Sequence, residues 1–291
     1  MNKIEIHKDI VYSSKAEKDI TLIHIADIHF SKIFNIKKFD KIKEAIYINN
    51  PDYVVITGDT IDNPNITKDK LKIKQLLLFL TDIASFTKVI ISLGNHDIFR
   101  GEDIKFFKNL NDLKNIYVVN NDAYIDEQIY ISGITLPTDY YYNISKLEST
   151  EILLDHLKRN KKLITNLPIK VPKVSLIHSP IRLTEKEVLE SLKEYDLLLS
   201  GHTHGGMVPK ILDKVLKSNQ GIIAPNKTLL PDIARGKIEK NISNKKITII
   251  INSGITKLSL HSAKMLNKLN FVYNIDINKI IITNKKGKYY E

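Results

Sequence analysis

The sequence predicts an α/β fold, and three observations predict it. Short apolar segments of strand length recur along the chain, longer segments with helical apolar spacing lie between them, and the apolar segments end abruptly in polar residues.

In chain order, the strand-like segments are Thr21–Ala26, Tyr53–Thr57, Lys88–Leu93, Lys173–Ile177 and Asp196–Leu199. Each is short, rich in β-formers and nearly continuous in hydrophobicity, as in strands covered on both faces. Between them, Lys37–Ile48 places Phe39, Ile42, Ala45 and Ile46 on one helical stripe, and Thr67–Ser85 carries Leu71 and Leu78 at similar intervals. Thr184–Tyr195 opens on Thr184 with Glu187 three residues later, the signature of a capping box. Ile116 to Ile134 reads as two further strands around Asn120-Asn121-Asp122, and Lys246–Ile251 as a late strand closed by the turn Asn252-Ser253-Gly254. Gly205, Gly206, Pro209, Pro225 and Pro231 predict loops with little regular structure over 205–245. With no internal repeat and no low-complexity linker, residues 1–291 read as a single domain.

Composition narrows the chemistry. The chain of 291 residues is 43% hydrophobic and 26% charged, an ordinary globular balance that buries a core without cross-links. It contains no cysteine, which excludes disulfides, thiolate metal sites and cysteine nucleophiles. Any metal must be held by histidine, carboxylate or amide groups, which suit hard or borderline divalent ions. No apolar run reaches the roughly 18 residues of a membrane span. The N-terminal segment lacks the apolar core of a signal peptide, so the chain reads as soluble and cytoplasmic. The net charge of +11 admits an anionic partner such as nucleic acid or an acidic membrane surface. Yet arginine, the bidentate phosphate reader, occurs only at Arg100, Arg159, Arg182 and Arg235. A general lysine-rich composition accounts for the charge, and a nucleic-acid partner is not favoured.

The reactive side chains collect where the strand-like segments end. The first is followed by Asp27-Ile28-His29, the second by Gly58-Asp59-Thr60-Ile61-Asp62, and the third by Gly94-Asn95-His96-Asp97. The fourth is followed by His178 and the fifth by Gly201-His202-Thr203-His204. Ligands of α/β sheets bind beyond the carboxyl ends of the strands, so carboxylates, an amide and imidazoles are delivered to one rim. One residue separates Asp27 from His29 and His202 from His204, a spacing that turns both members of a pair the same way along an extended chain. Gly58, Gly94 and Gly201 permit sharp turns and close backbone approach. Clustered carboxylates and imidazoles are costly to desolvate without a cation, and this donor set suits zinc, iron or manganese.

The five blocks, in this order from residue 27 to residue 204, resemble the calcineurin-like metallophosphoesterase family: Asp-x-His, Gly-Asp-x-x-Asp, Gly-Asn-His-Asp, a lone His, then Gly-His-x-His. One short block arises easily by chance, whereas five in sequence after strand-like segments are specific. The run Ser200–Gly206 further resembles a bacterial branch that includes phosphodiesterases related to lipid-precursor processing. The resemblance implies a four-layer α/β/β/α sandwich, two packed mixed sheets with helices on both outer faces. It implies two divalent ions (Mn, Fe or Zn), with Asp27, His29 and His204 binding one, Asn95, His178 and His202 binding the other, and Asp59 bridging both. His96 then faces the leaving-group oxygen as an acid, oriented by Asp62. The implied reaction is in-line attack of a metal-bridging hydroxide on a phosphate ester, foremost a phosphodiester that is a small molecule or lipid-linked. The alternatives are a nuclease or phosphomonoesterase with the same centre, or a non-catalytic scaffold. A scaffold would be free to lose ligands, and none of the expected ones is missing.

Other residues carry two readings or a plain one. His24, inside the first strand, reads as a core or supporting histidine, and His7, His156 and His261 read as surface residues. Asp97 either supports the site or holds its turn. Arg100 either reaches a substrate phosphate or lies on the surface. Tyr140-Tyr141-Tyr142 either packs a loop or touches substrate. Lys158-Arg159-Asn160-Lys161-Lys162 reads as favourable charge at a helix end.

Overall fold

The structure, a computed structural model, describes residues 3–99, 104–142, 145–165, 170–209, 212, 215–223, 229–258 and 273–285. Arg100, His261 and Pro225 lie outside the described residues. The strands are β1 (Ile4–Tyr12), β2 (Ile20–Ile25), β3 (Tyr53–Thr57), β4 (Lys88–Ser92), β5 (Ile116–Val118), β6 (Asp122–Ile125), β7 (Tyr130–Ile134), β8 (Lys173–Ile177), β9 (Leu197–Ser200), β10 (Gly236–Ile242), β11 (Lys245–Ile251) and β12 (Ile275–Thr283). The helices are α1 (Lys37–Asn49), α2 (Lys70–Ala84), α3 (Asn95–Ile98), α4 (Ile104–Leu110), α5 (Thr138–Tyr142), α6 (Lys146–Arg159) and α7 (Lys186–Ser191).

The strands form two six-stranded sheets, in the orders β1-β12-β2-β3-β4-β5 and β10-β11-β9-β8-β7-β6. Both are mixed. In the first, β2 to β5 and the β1–β12 pair are parallel, while β12 runs antiparallel to β2. In the second, β7, β8, β9 and β11 are parallel and flanked by antiparallel β6 and β10.

Strand alternation sorts the core into three apolar layers. In β3, Val54 and Ile56 join the layer that holds Phe39, Ile42 and Ile46 of α1 and Leu76 and Phe79 of α2. Tyr53 and Val55 turn the other way and meet Leu176, Leu197 and Leu199 of the second sheet. In β9, Leu198 turns outward to Leu153 and Leu157 of α6 and Val188 and Leu189 of α7. Three layers require four structural ones, so the architecture is the α/β/β/α sandwich. Each such side chain contributes about 1.5–3 kcal/mol on burial, which is why the strands read as apolar on both faces.

Several elements differ from the sequence reading. The segment from Ile116 to Ile134 forms three strands, not two, because the polar run after Val118 and the turn after Ile125 both break pairing. The stretch 205–245 contains β10, whose hairpin partner is β11; the two-residue connection Ser243-Asn244 has positive φ at both positions, as a tight hairpin turn requires. Its alternating Lys, Ile and Glu pattern suits an edge strand rather than a buried one. α2 starts later than expected, at Lys70, after a 3₁₀ turn, with the Asp69 carboxylate accepting from the Lys72 amide at 3.1 Å. The capping box at Thr184 does not form: α7 is capped at Glu185 without a side-chain hydrogen bond and ends at Ser191. Among the described residues, no helix is long and apolar enough to cross a membrane.

Candidate metal centre

Residues that follow β2, β3, β4, β8 and β9 converge at the carboxyl ends of the two sheets. Asp27, His29 and His204 bring three donor atoms within 4.8 Å of one another, and Asp59, His178 and His202 do the same. Asp59 Oδ2 lies 3.5 Å from His29 Nε2 and 3.2 Å from His178 Nε2, so one carboxylate oxygen touches both groups. His29 stacks on His204 with ring centroids 5.0 Å apart, and His178 meets His202 edge to face at the same distance.

The backbone reaches this arrangement by an unexpected route. The one-residue spacing of Asp27 and His29 predicts an extended chain, but β2 stops at Ile25 and both residues are left-handed, with φ of 49° and 46°. Asp59, His202 and His204 share that conformation, with φ of 50°, 68° and 50°. Such backbone costs on the order of 1–3 kcal/mol per residue and persists where surrounding structure enforces it. Here the Asp27 amide donates to Gly58 O at 3.2 Å and the His29 amide to Asp59 O at 2.9 Å, which ties the first loop to the second. Two glycines make room for the carboxylates. A Cβ on Gly94 would stand 2.2 Å from Asp59 Oδ1, and one on Gly201 would stand 2.5 Å from Asp27 Oδ2.

Hydrogen bonds orient each side chain. The His202 amide donates to both oxygens of Asp27, at 3.1 and 2.9 Å, and the His96 amide donates to Asp59 Oδ1 at 2.8 Å. His178 Nδ1 lies 2.6 Å from Thr57 O and His204 Nδ1 lies 2.8 Å from Thr256 O, so both rings donate from Nδ1 and turn Nε2 inward. His96 Nδ1 sits 2.6 Å from the backbone oxygen of Asp62. Asp62 therefore meets His96 through its carbonyl, while its carboxylate lies 3.3 Å from His29 Nδ1 without hydrogen-bond alignment.

Burial and mutual charge set the protonation. Burial pushes the Asp27 carboxyl up to about 6. Burial would raise Asp59 as well, but the imidazoles of His178, His96 and His29 hold it well below the carboxylate range. Burial opposes charge on His178, yet Asp59 and Asp27 lift its pKa to about 9. Burial lowers His204 to about 4 and holds His202 well below its ordinary value. The carboxylates thus hold a positive charge in a fully buried place, the property that a cation site needs. A second observation agrees. His29 Nε2, His178 Nε2 and Asn95 Oδ1 are buried with no hydrogen-bond partner, and an unpaired buried polar atom is expensive unless something binds it. The donor set fits divalent cations.

A family model for calcineurin-like phosphoesterases matches residues 20–206. The chain belongs to that family. It is 30% identical over 211 residues to an uncharacterized metallophosphoesterase of Campylobacter jejuni, covering 71% of this chain and 50% of that one. It is 25% identical over 217 residues to one component of the SbcCD nuclease of Staphylococcus epidermidis, covering 63% and 56% of the two chains. The chain spans about half the length of the first curated relatives it matches. A solved dimetal phosphatase from Danio rerio aligns over 84% of this chain and 90% of that one, with a TM-score of 0.47 and 13% identity.

Around the family motifs, the neighbours take definite places. Asp97 accepts from the amides of Gly94 at 2.9 Å, Ile61 at 3.1 Å and Thr60 at 3.3 Å, so it pins the second loop to the third. Burial pushes its pKa up to about 7. His24 is buried and lies 2.8 Å from the Thr57 hydroxyl. His156 is half-buried beside Asn121 at 3.2 Å, not a surface residue, whereas His7 is exposed and pairs with Asp276 at 3.3 Å. Thr57 and Thr256 escape the sequence reading, since a backbone acceptor leaves no side-chain signature. The one hint for Thr256 is the Asn252-Ser253-Gly254 turn that ends β11 beside the site.

Proposed function

We propose that this protein hydrolyses phosphate esters, phosphodiesters ahead of monoesters, at a centre that holds two divalent cations. The observation that carries the reading is Asp59 Oδ2, shared between an imidazole of each donor group at 3.5 and 3.2 Å. Asp59 would then serve both cations, with Asp27, His29 and His204 holding one and Asn95, His178 and His202 holding the other. Manganese, iron or zinc suits these imidazole, carboxylate and amide donors. Bound there, such cations lower the pKa of water and polarise phosphoryl oxygens.

The chain supplies the rest. The carbonyls of Thr57 and Thr256 fix the tautomers of His178 and His204, which keeps Nε2 as the donor atom. The Asp62 carbonyl holds His96 by Nδ1. Burial opposes charge on His96, but Asp59 and the Asp62 carbonyl raise its pKa. As the bond from phosphorus to the leaving oxygen breaks and an oxygen from water bonds to phosphorus, the water gives up a proton to solvent and His96 passes its own proton to the leaving oxygen. Acid catalysis of this kind contributes about 10²–10⁴-fold. The preference for diesters is supported by the Ser200–Gly206 run, and a cytoplasmic site of action by the absence of cysteine.

The test is metal content and turnover of paired nitrophenyl diester and monoester substrates. The wild type is expected to bind about two cations per chain and turn over the diester faster. Asp59→Asn is expected to lose activity by about a thousandfold or more while remaining folded. Faster monoester turnover would refute the diester preference alone. A protein that binds no metal and shows no metal-stimulated turnover would point to a scaffold instead. The nuclease reading draws on the net charge of +11 and on the nuclease relative; it requires polynucleotide binding that weakens steeply with salt.

A further inference from the structure

One buried polar atom near the centre belongs to none of the five motif blocks. The three tyrosines of α5 have separate fates. The Tyr140 hydroxyl donates to Ile181 O and anchors the helix, and Tyr142 is exposed. Tyr141 is half-buried as a residue, yet its hydroxyl oxygen is shielded from solvent and has no hydrogen-bond partner. The ring therefore enters from the surface with its polar end inward. It packs edge-on against His202 at 5.1 Å between centroids and lies 6.1 Å from His178. α5 also packs against α3, which carries Asn95 and His96.

We propose that Tyr141 is a catalytic residue whose hydroxyl donates a hydrogen bond to a phosphoryl oxygen of the substrate on the Asn95–His178–His202 side of the centre. The inference rests on the phosphoesterase reading above. A buried hydroxyl without a partner is unfavourable in the same way as His178 Nε2 and Asn95 Oδ1; the Tyr141 ring lies 6.1 Å from that of His178, and its helix packs on the one that carries Asn95. Cations satisfy a nitrogen lone pair or an amide oxygen, whereas a protonated phenol needs an acceptor. A phosphoryl oxygen is the acceptor that a phosphate ester brings to this place. Being neutral, the phenol adds no positive charge beside the cations.

The test compares the metal-loaded wild type with Tyr141→Phe, which keeps the ring against His202. Inorganic phosphate is the probe, titrated calorimetrically, alongside metal content and kcat/KM for a diester. Phosphate affinity and kcat/KM are each expected to fall about tenfold in the variant, the effect of one hydrogen bond to a charged acceptor. Metal content and metal affinity are expected to stay as in the wild type. Unchanged phosphate affinity in an active variant would overturn the proposal and leave the phosphoesterase reading intact. A parallel loss of metal affinity would also overturn it, by making Tyr141 a prop or ligand for the cation site. A wild type with neither bound metal nor turnover would sink the phosphoesterase reading and this proposal with it.

Discussion

The two ends of the same strands treat buried polar groups in opposite ways. At the amino ends, Asp126 accepts from the hydroxyls of Tyr53 and Tyr124 at 2.7 Å each and from Lys88 at 2.8 Å. Its other oxygen takes the Gln128 and Ile129 amides, at 2.9 and 3.1 Å. Asp196 likewise accepts from the Lys173 amide at 2.9 Å and pairs with Lys245 at 3.2 Å and Lys15 at 3.5 Å. At the carboxyl ends, the acids face His29 and His178, whose inward Nε2 atoms find no hydrogen-bond partner, and Asp27, His29, Asp59, His202 and His204 sit in left-handed turns. Asp126 and Asp196 are satisfied by the chain's own atoms. The carboxyl end is built to be completed from outside.

The largest effect is expected at the carboxyl ends. His96→Ala should lower kcat by about 10²–10⁴-fold on an ester with a poor, alkyl leaving group. The loss should be smaller on a nitrophenyl ester, whose leaving oxygen needs no proton, and bound metal should stay unchanged. Measuring kcat across a series of leaving groups decides the matter. Equal losses across the series would show that His96 does not act as the acid.

At the amino ends the same kind of change should cost stability and nothing else. Asp126→Ala strips the acceptor from two hydroxyls, one ammonium and two amides, and should destabilise the fold by about 3 kcal/mol. Urea unfolding would report that loss, with metal content and kcat as controls. A variant that unfolds normally but loses bound metal would erase the distinction between the two ends.

Part of this contrast is legible in the sequence itself. Asp27, His29, Asp59, Asn95, His178, His202 and His204 can be singled out because each motif follows an apolar run, and apolar runs in α/β chains end at ligand sites. What resists reading is whatever depends on distant partners or on backbone alone. β1 and β12 pair with each other from opposite ends of the chain, Ile4 opposite Ile275, and neither segment is apolar enough to stand out by itself. The strand period of two predicts an extended chain past Ile25, where the strand has already stopped, so it gives no sign of the turn at Asp27 and His29. Tyr141 stands in a run of identical neighbours, and only the placement of α5 tells its inward hydroxyl from the exposed Tyr142.

The smallest expected effect sharpens the comparison within the carboxyl ends themselves. Asp276, near the start of β12, is buried, but unlike Asp27 it has a lysine beside it: Lys257 bonds its Oδ2, and His7 lies 3.3 Å from its Oδ1. Burial alone would raise its pKa; Lys257 and His7 instead bring it down to about 2, whereas Asp27 is pushed up to about 6. A carboxyl whose folded pKa is depressed stabilises the fold at pH above its unfolded value. That contribution fades as pH falls from about 3.8 through about 2 and is worth on the order of 2 kcal/mol when complete. Metal-free Asp276→Asn should therefore be less stable than the metal-free wild type by a margin that widens as His7 takes up its proton below neutral pH, persists down to about pH 4 and shrinks below that. Urea unfolding of both proteins at stepped pH measures the difference directly. A margin that survives undiminished at the acid end, or one already gone at mildly acidic pH, would mean that Asp276 is not held ionised by Lys257. In that case an acid with a lysine beside it and one without would not be distinguished in the way Asp276 and Asp27 indicate.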